Sequence, residues 1–176
     1  MYTKINSQAS LDDVITLSEA KRQCRLMDSF TLDDDELNML RIACTELAQT
    51  YLHRLLSIGS VTLEKEEYVK WVQLPYGDAT TIAEVLVDDV VTTDYTFSDV
   101  TQKVKLGDNV ISTNFSNIKI TYSCGMSEVP MRIKQGILVM ISTMYNQHDD
   151  YVVGMSVEQI PMNARAILHS GKYYAT

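Results

Sequence analysis

The stretch that decides the fold is Asn117-Ile118-Lys119-Ile120-Thr121-Tyr122-Ser123-Cys124-Gly125, followed by Val129-Pro130 and then Ile133, Ile137, Met140, Ile141, Met144 and Tyr145. Its first half alternates apolar and polar residues, the period of a strand with one buried and one wet face. Gly125 fits a turn at the end of that strand. Pro130 is suited to a first helical position, where its missing amide would be unpaired anyway. Beyond it the apolar residues recur every three or four positions, the period of a helix with one buried side. The chain therefore passes from sheet to helix within a dozen residues.

Upstream of this switch, residues 60–123 read as β structure. Thr80–Val91 is rich in Thr, Ile and Val, Tyr95 and Phe97 alternate with polar neighbours, and Gly77-Asp78 and Gly107-Asp108-Asn109 supply turns. Antiparallel hairpins are the expected arrangement.

The chain before Ser57 reads as helical. Thr16-Leu17-Ser18-Glu19 is a capping box, predicting a helix to about Met27, interrupted by Asp28-Ser29-Phe30. A second helix starts at Thr31 or Asp33, with Leu37, Leu40, Cys44, Leu47, Tyr51 and Leu55 as its apolar stripe and Gly59 as its end. Asp33, Asp34, Asp35 and Glu36 lie in its first turn, where negative charge complements free amides.

Downstream, the helix of the opening stretch runs toward His148, residues 149–154 form a loop, and Pro161 opens a short final helix ended near Gly171. The expected fold class is α+β: a helical bundle of two N-terminal and two C-terminal helices with an inserted antiparallel sheet. One domain spans 1–176, helical over 11–58 and 128–172, with the β insertion at 60–123.

Bulk properties narrow the function. The net charge is −8 and no basic patch stands out, which disfavours specific grip on nucleic-acid phosphates. No apolar run is long enough to span a bilayer, and no secretory signal opens the chain, so a cytosolic product is expected. Three scattered cysteines, Cys24, Cys44 and Cys124, argue against a disulfide framework.

Motifs for chemistry are sparse. Neither common glycine-rich phosphate loop occurs. The acidic run Asp33–Glu36 lacks the central glycine and later glutamate of a calcium loop, so helix capping explains it and no metal or other cofactor is expected. Cys124 with His148, Asp149 and Asp150 could in principle supply nucleophile, base and orienting carboxylate, but no family signature surrounds them. The methionines of the last third, Met126, Met131, Met140, Met144, Met155 and Met162, read mainly as core. Tyr151, Tyr173 and Tyr174 fall in a loop and at the end of the chain, where tyrosines either serve an interface or pack back on the parent fold.

Taken in order, these segments resemble the head–tail connector, or adaptor, family of tailed phages. The resemblance is carried by the strand ending Tyr122-Ser123-Cys124-Gly125, the Val129-Pro130 helix start, Lys134-Gln135-Gly136-Ile137-Leu138, Tyr145-Asn146-Gln147, and Ile160-Pro161 followed by Arg165 and Leu168. Thr16–Lys21 with Arg25, and Leu74-Pro75-Tyr76-Gly77 before the β insertion, are similar too. Two departures stand out: Gly136 replaces a more usual alanine, and the ending after Leu168 lacks the family's Pro-Tyr-Arg. The resemblance implies a non-enzymatic virion subunit at the head–tail junction. It would form a ring, twelve-fold by that likeness, joining the portal to the tail and extending the DNA channel. Its partners would be the portal protein, a neck stopper or tail-completion protein, further copies of itself, and DNA that passes without specific binding, with no membrane. The segment expected to meet the portal contains Tyr151, Ile160, Pro161, Arg165, Leu168, Lys172, Tyr173 and Tyr174. Competing readings are another neck or tail-completion protein, a small cysteine hydrolase using Cys124 and His148, or a host-directed regulatory binder.

Overall fold

A computed structural model describes residues 1–11, 14–67, 69–112, 115–146 and 161–174. Chain contacts divide it into two compact units: a β unit, Met1–Ala9 with His53–Ser127 and Tyr173–Thr176, and a helical unit, Ser10–Leu52 with Glu128–Lys172. The fold class is α+β with antiparallel sheets, as the sequence pattern predicts.

In the β unit the alternating stretch is strand β8 (Ile118–Cys124), and Ile118, Ile120, Tyr122 and Cys124 are its buried side. It lies in the middle of a five-stranded sheet. Strands β1 (Tyr2–Gln8), β2 (Gly59–Lys65), β4 (Thr81–Val87) and β5 (Val90–Val91) join it in the order β1-β2-β8-β4-β5, every pair antiparallel. A second sheet orders β3 (Trp71–Gln73), β7 (Lys103–Leu106) and β6 (Tyr95–Ser98) as β3-β7-β6. Val61, Leu63, Val85, Ile120 and Tyr122 from the first sheet share one core with Val72, Val104 and Leu106 from the second. Each such side chain contributes roughly 1.5–3 kcal/mol by leaving water. Gly107 caps a four-residue helix, α3 (Asp108–Ile111), where the sequence suggested a simple turn.

Strand β1 corrects the expectation that the chain before Ser57 is helical. Tyr2–Gln8 pairs with β2, yet Tyr2–Ser7 is exposed on both faces. With no face to bury, it carries no apolar alternation and leaves no strand signature.

Asp88 and Asp89 turn β4 into β5 with φ of 48° and 64°, the left-handed pair that a two-residue hairpin requires. The Asp88 carboxylate also accepts from Ser116 N and Oγ, both at 3.0 Å, and from Asn117 N at 2.9 Å. Those bonds, led by the one from the Asn117 amide, hold its pKa below the ordinary value of 3.8. A carboxylate depressed in the folded state stabilises above its unfolded pKa, and that stability is lost as pH falls through the folded value. The urea midpoint of the wild type should therefore drop as pH is lowered below about 4. Asp88→Asn should be less stable at pH 7 and lose part of that pH slope. An unchanged slope would show that Asp88 does not anchor the 115–117 segment.

In the helical unit, helix α1 (Leu17–Gln23) begins on the expected capping box: Glu19 N donates to Thr16 Oγ1 at 3.2 Å and Thr16 N to Glu19 Oε2 at 2.8 Å. It stops four residues short of Met27, because Arg25 turns to φ 61°. Helix α2 (Asp34–Leu52) likewise ends before Gly59. His53 takes φ 52°, and Leu55 belongs to the β core instead. The buried seam of α2 is Leu37, Cys44, Ala48 and Leu52.

Helix α4 (Met131–Asn146) buries Ile133, Gly136, Ile137, Met140 and Ile141, while helix α5 (Met162–His169) buries Ala164 and Leu168. A Cβ on Gly136 would stand 2.7 Å from Leu168 Cδ2 and 2.8 Å from its Cγ. Gly136 is thus the notch that lets α5 close on α4, which explains the departure from alanine. Of the methionines, Met140 is buried but Met131 and Met162 are exposed, which corrects their reading as core. Met155 lies outside the described residues.

Candidate assembly surface

Helix α5 sets out the expected contact residues in two directions. Pro161 is the N-cap in extended conformation, and Arg165 N closes the first turn on Pro161 O at 2.9 Å. Ala164 and Leu168 face inward. Leu168 is fully buried over Gly136, so its part is to fix the helix rather than to present surface. The outward side carries Met162, Arg165, Ala166 and His169, which with Tyr51 and Lys172 line an open groove of about 500 Å³.

Tyr51 organises this groove from α2. Its hydroxyl lies 3.2 Å from His169 Nδ1, and Lys172 Nζ stands 4.9 Å from the ring centroid, within the range of a cation–π contact. The groove therefore combines an aromatic ring, an apolar thioether and a row of basic groups, in a chain whose net charge is −8. Tyr51, Met162 and His169 were not among the residues expected here. Met162, Arg165 and His169 recur at three- and four-residue intervals on the side opposite Ala164 and Leu168, and that spacing was the available signal.

The two terminal tyrosines separate. Tyr173 is built into the β unit: its hydroxyl accepts from Gln73 Nε2 at 2.6 Å and donates to Leu74 O at 3.3 Å. Its ring packs where a side chain on Gly77 would sit, with a hypothetical Cβ 2.9 Å from the ring, and 5.9 Å from Arg54, which itself pairs with Asp78 at 3.2 Å. The Leu74–Asp78 turn is thus clamped by the far end of the chain. Tyr174, by contrast, is exposed. Tyr151 and Ile160 lie outside the described residues, as do His148, Asp149 and Asp150.

No protein-family model matches the chain, and no curated protein does. Solved structures do. A chain from the neck of an empty gene transfer agent (GTA) particle, computed with C6 symmetry, superposes with a TM-score of 0.75 at 14% identity, covering 100% of this chain and 97% of that one. A chain from the native GTA virion gives 0.73 at 12% identity, and one from the native neck computed with C12 symmetry gives 0.72 at 11%, with the same coverage. The chain has the fold of these neck chains. The likeness extends over both units end to end, so the correspondence is not confined to one shared supersecondary motif.

On this fold Cys124 and Cys44 are packing residues. Cys124 is buried among the β-core side chains, and burial, with a smaller effect of Asp78, pushes its thiol up to about 12. Cys44 is buried in the α2 seam, and burial pushes its thiol to about 12 as well. Both stay protonated at neutral pH, and the thiolate is the nucleophilic form. Burial thus works against Cys124 as the nucleophile of the hydrolase reading. Among the described residues no group of three or more His, Cys, Asp or Glu could hold a metal ion, and no helix is long and apolar enough to cross a membrane.

Proposed function

We propose that this chain is a structural virion subunit, a ring-forming connector that joins the portal of a phage-like head to the tail and extends the DNA channel. The observation that carries the reading is the end-to-end fold match to neck chains of particles solved with sixfold and twelvefold symmetry. Two features of the chain agree with it. A ring repeats one heterologous interface around an axis, so non-catalytic surfaces carry the function. A duct for DNA works best without tight phosphate contacts, and a subunit of net charge −8 avoids them.

The groove side of α5, with Pro161, Arg165 and Lys172, is the surface we assign to the portal, and Tyr151, Ile160 and Tyr174 remain candidates for the same contact from their place in the sequence. Leu168 serves that surface from within, by seating α5 over Gly136. A neck stopper or tail-completion protein would follow on the tail side. Particles made without this protein test the reading by negative stain. DNA-filled heads lacking tails are the expected result, and normal tailed particles would refute it.

A further inference from the structure

Among the described residues the five-stranded sheet ends in two open edges. Strand β1 is paired there along one side, to β2, and Tyr2–Ser7 is exposed on both faces. At the opposite end β5 covers just Leu86 and Val87 of β4, with Thr92 N reaching Val85 O at 2.9 Å. Among the described residues nothing pairs with the far side of Thr81–Glu84.

Such edges have consequences. A strand packed on neither face is held chiefly by its ladder, to which Asn6 Nδ2 adds a side-chain bond to Thr62 Oγ1 at 2.7 Å. A row of free amides and carbonyls also recruits another strand unless it is guarded. The guards present are selective ones. Bulges interrupt β1 between Ile5 and Ser7, and β4 between Ile82 and Glu84. That leaves Tyr2–Ile5 regular on one edge, while the open Thr81–Glu84 run near the other carries its bulge at Ala83.

The two edges are complementary. Lys4 is the charged side chain of β1, whereas the open run of β4 carries the exposed Glu84; Asp88 and Asp89, in the turn beyond it, are already engaged by Ser116 and Asn117 and by Lys119. Each also exposes apolar groups, Tyr2 and Ile5 against Val90 and Val91. Directions match as well. Because neighbouring strands alternate, β1 and β4 run oppositely within the sheet. Rotation about a ring axis preserves each strand's sense along that axis, so the next copy's β1 would meet β4 antiparallel.

We infer that the lateral contact of the ring is β-sheet augmentation: β1 of one copy adds to the open Thr81–Glu84 edge of β4 in the next copy of this chain. The inference rests on the ring reading above and names the interface that ring would use. Backbone hydrogen bonds supply the affinity, and Lys4 opposite the acidic edge supplies the polarity that makes each contact head-to-tail.

Cysteine crosslinking in purified particles tests it. In a Cys24→Ala background, Lys4→Cys with Glu84→Cys, treated with a short bismaleimide, should give a ladder of covalent multimers on a denaturing gel. Either single variant should give none. If the chain is present in the particles but stays monomeric after crosslinking, the augmentation is wrong and the neck reading survives. If the chain is absent from the particles, both fall. A charge swap provides a second readout. Lys4→Glu and Glu84→Lys should each lower incorporation several-fold, and the double variant should restore it. A double variant no better than the singles would also overturn the inference.

Discussion

Replacing Gly125 with valine should cost the β unit about 3–5 kcal/mol, a large fraction of the roughly 5–15 kcal/mol that holds a typical domain folded. Gly125 follows β8 with φ +116°, a conformation that side chains rarely adopt. A Cβ there would stand 2.2 Å from Ser57 O, 2.9 Å from Ser57 C and 3.1 Å from Ile58 Cα. All three are backbone atoms, directly before β2 begins, so no rotamer change relieves the clash. Backbone strain of roughly 1–3 kcal/mol adds to overpacking of roughly 1–3 kcal/mol. Gly125→Ala should show most of the effect, since the first carbon already collides. Urea denaturation of the two variants checks this, and a loss under about 1 kcal/mol would mean that the 57–58 segment yields more easily than its place beside β2 and β8 suggests.

The second large effect belongs to the helical unit. Lys21 is 4% exposed, with its ammonium 2.6 Å from Asp34 and 3.3 Å from Asp28 O. Breaking a buried ion pair by removing one partner typically costs roughly 3–5 kcal/mol, because the remaining charge is left without compensation. Asp34→Ala leaves the Lys21 ammonium, on a side chain 5% exposed, without its carboxylate. Because the Asp34 carboxylate is partly exposed, 26%, and Asp28 O still accepts from Lys21, the expected cost falls to about 2 kcal/mol. Lys21→Met replaces the ammonium by an apolar chain of similar length and should be milder. The double variant should be more stable than Asp34→Ala alone, because it removes the stranded charge. A double-mutant cycle measures that coupling. Additive losses would show that the pair is solvated and contributes little.

The parts of this fold that were legible in sequence are those where burial imposes a period. Ile118, Ile120, Tyr122 and Cys124 alternate because one face of β8 is buried, and Ile133, Ile137 and Ile141 recur because one side of α4 is. The capping box at Thr16 is local chemistry, and it is present as read. Where burial imposes nothing, the sequence is silent. β1 buries neither face, so Tyr2–Gln8 shows no period. The end of α2 depends on one residue, His53, entering the left-handed region, and the apolar spacing continues past it to Leu55 because a different core claims that leucine.

The candidate surface was partly legible for the same reason. Leu168 looked like a contact residue beside Arg165, but only Gly136, 32 positions earlier, reveals that its pocket lies inside. Tyr173 meets Gln73 and Leu74 across about a hundred residues of chain, a pairing that no local pattern encodes. Arg165 and Lys172 were expected at a contact surface and lie on the groove, His169 shares the helical spacing of Arg165, and Tyr51 joins them only through the packing of α2 beside α5.

The most direct measurement of the central claim is a symmetry-averaged cryo-EM reconstruction of the neck of particles that contain this protein. A closed ring of this fold between portal and tail, around a channel that the DNA can pass, is the expected result. A neck resolved to side-chain detail in which no copy of this fold fits would contradict it.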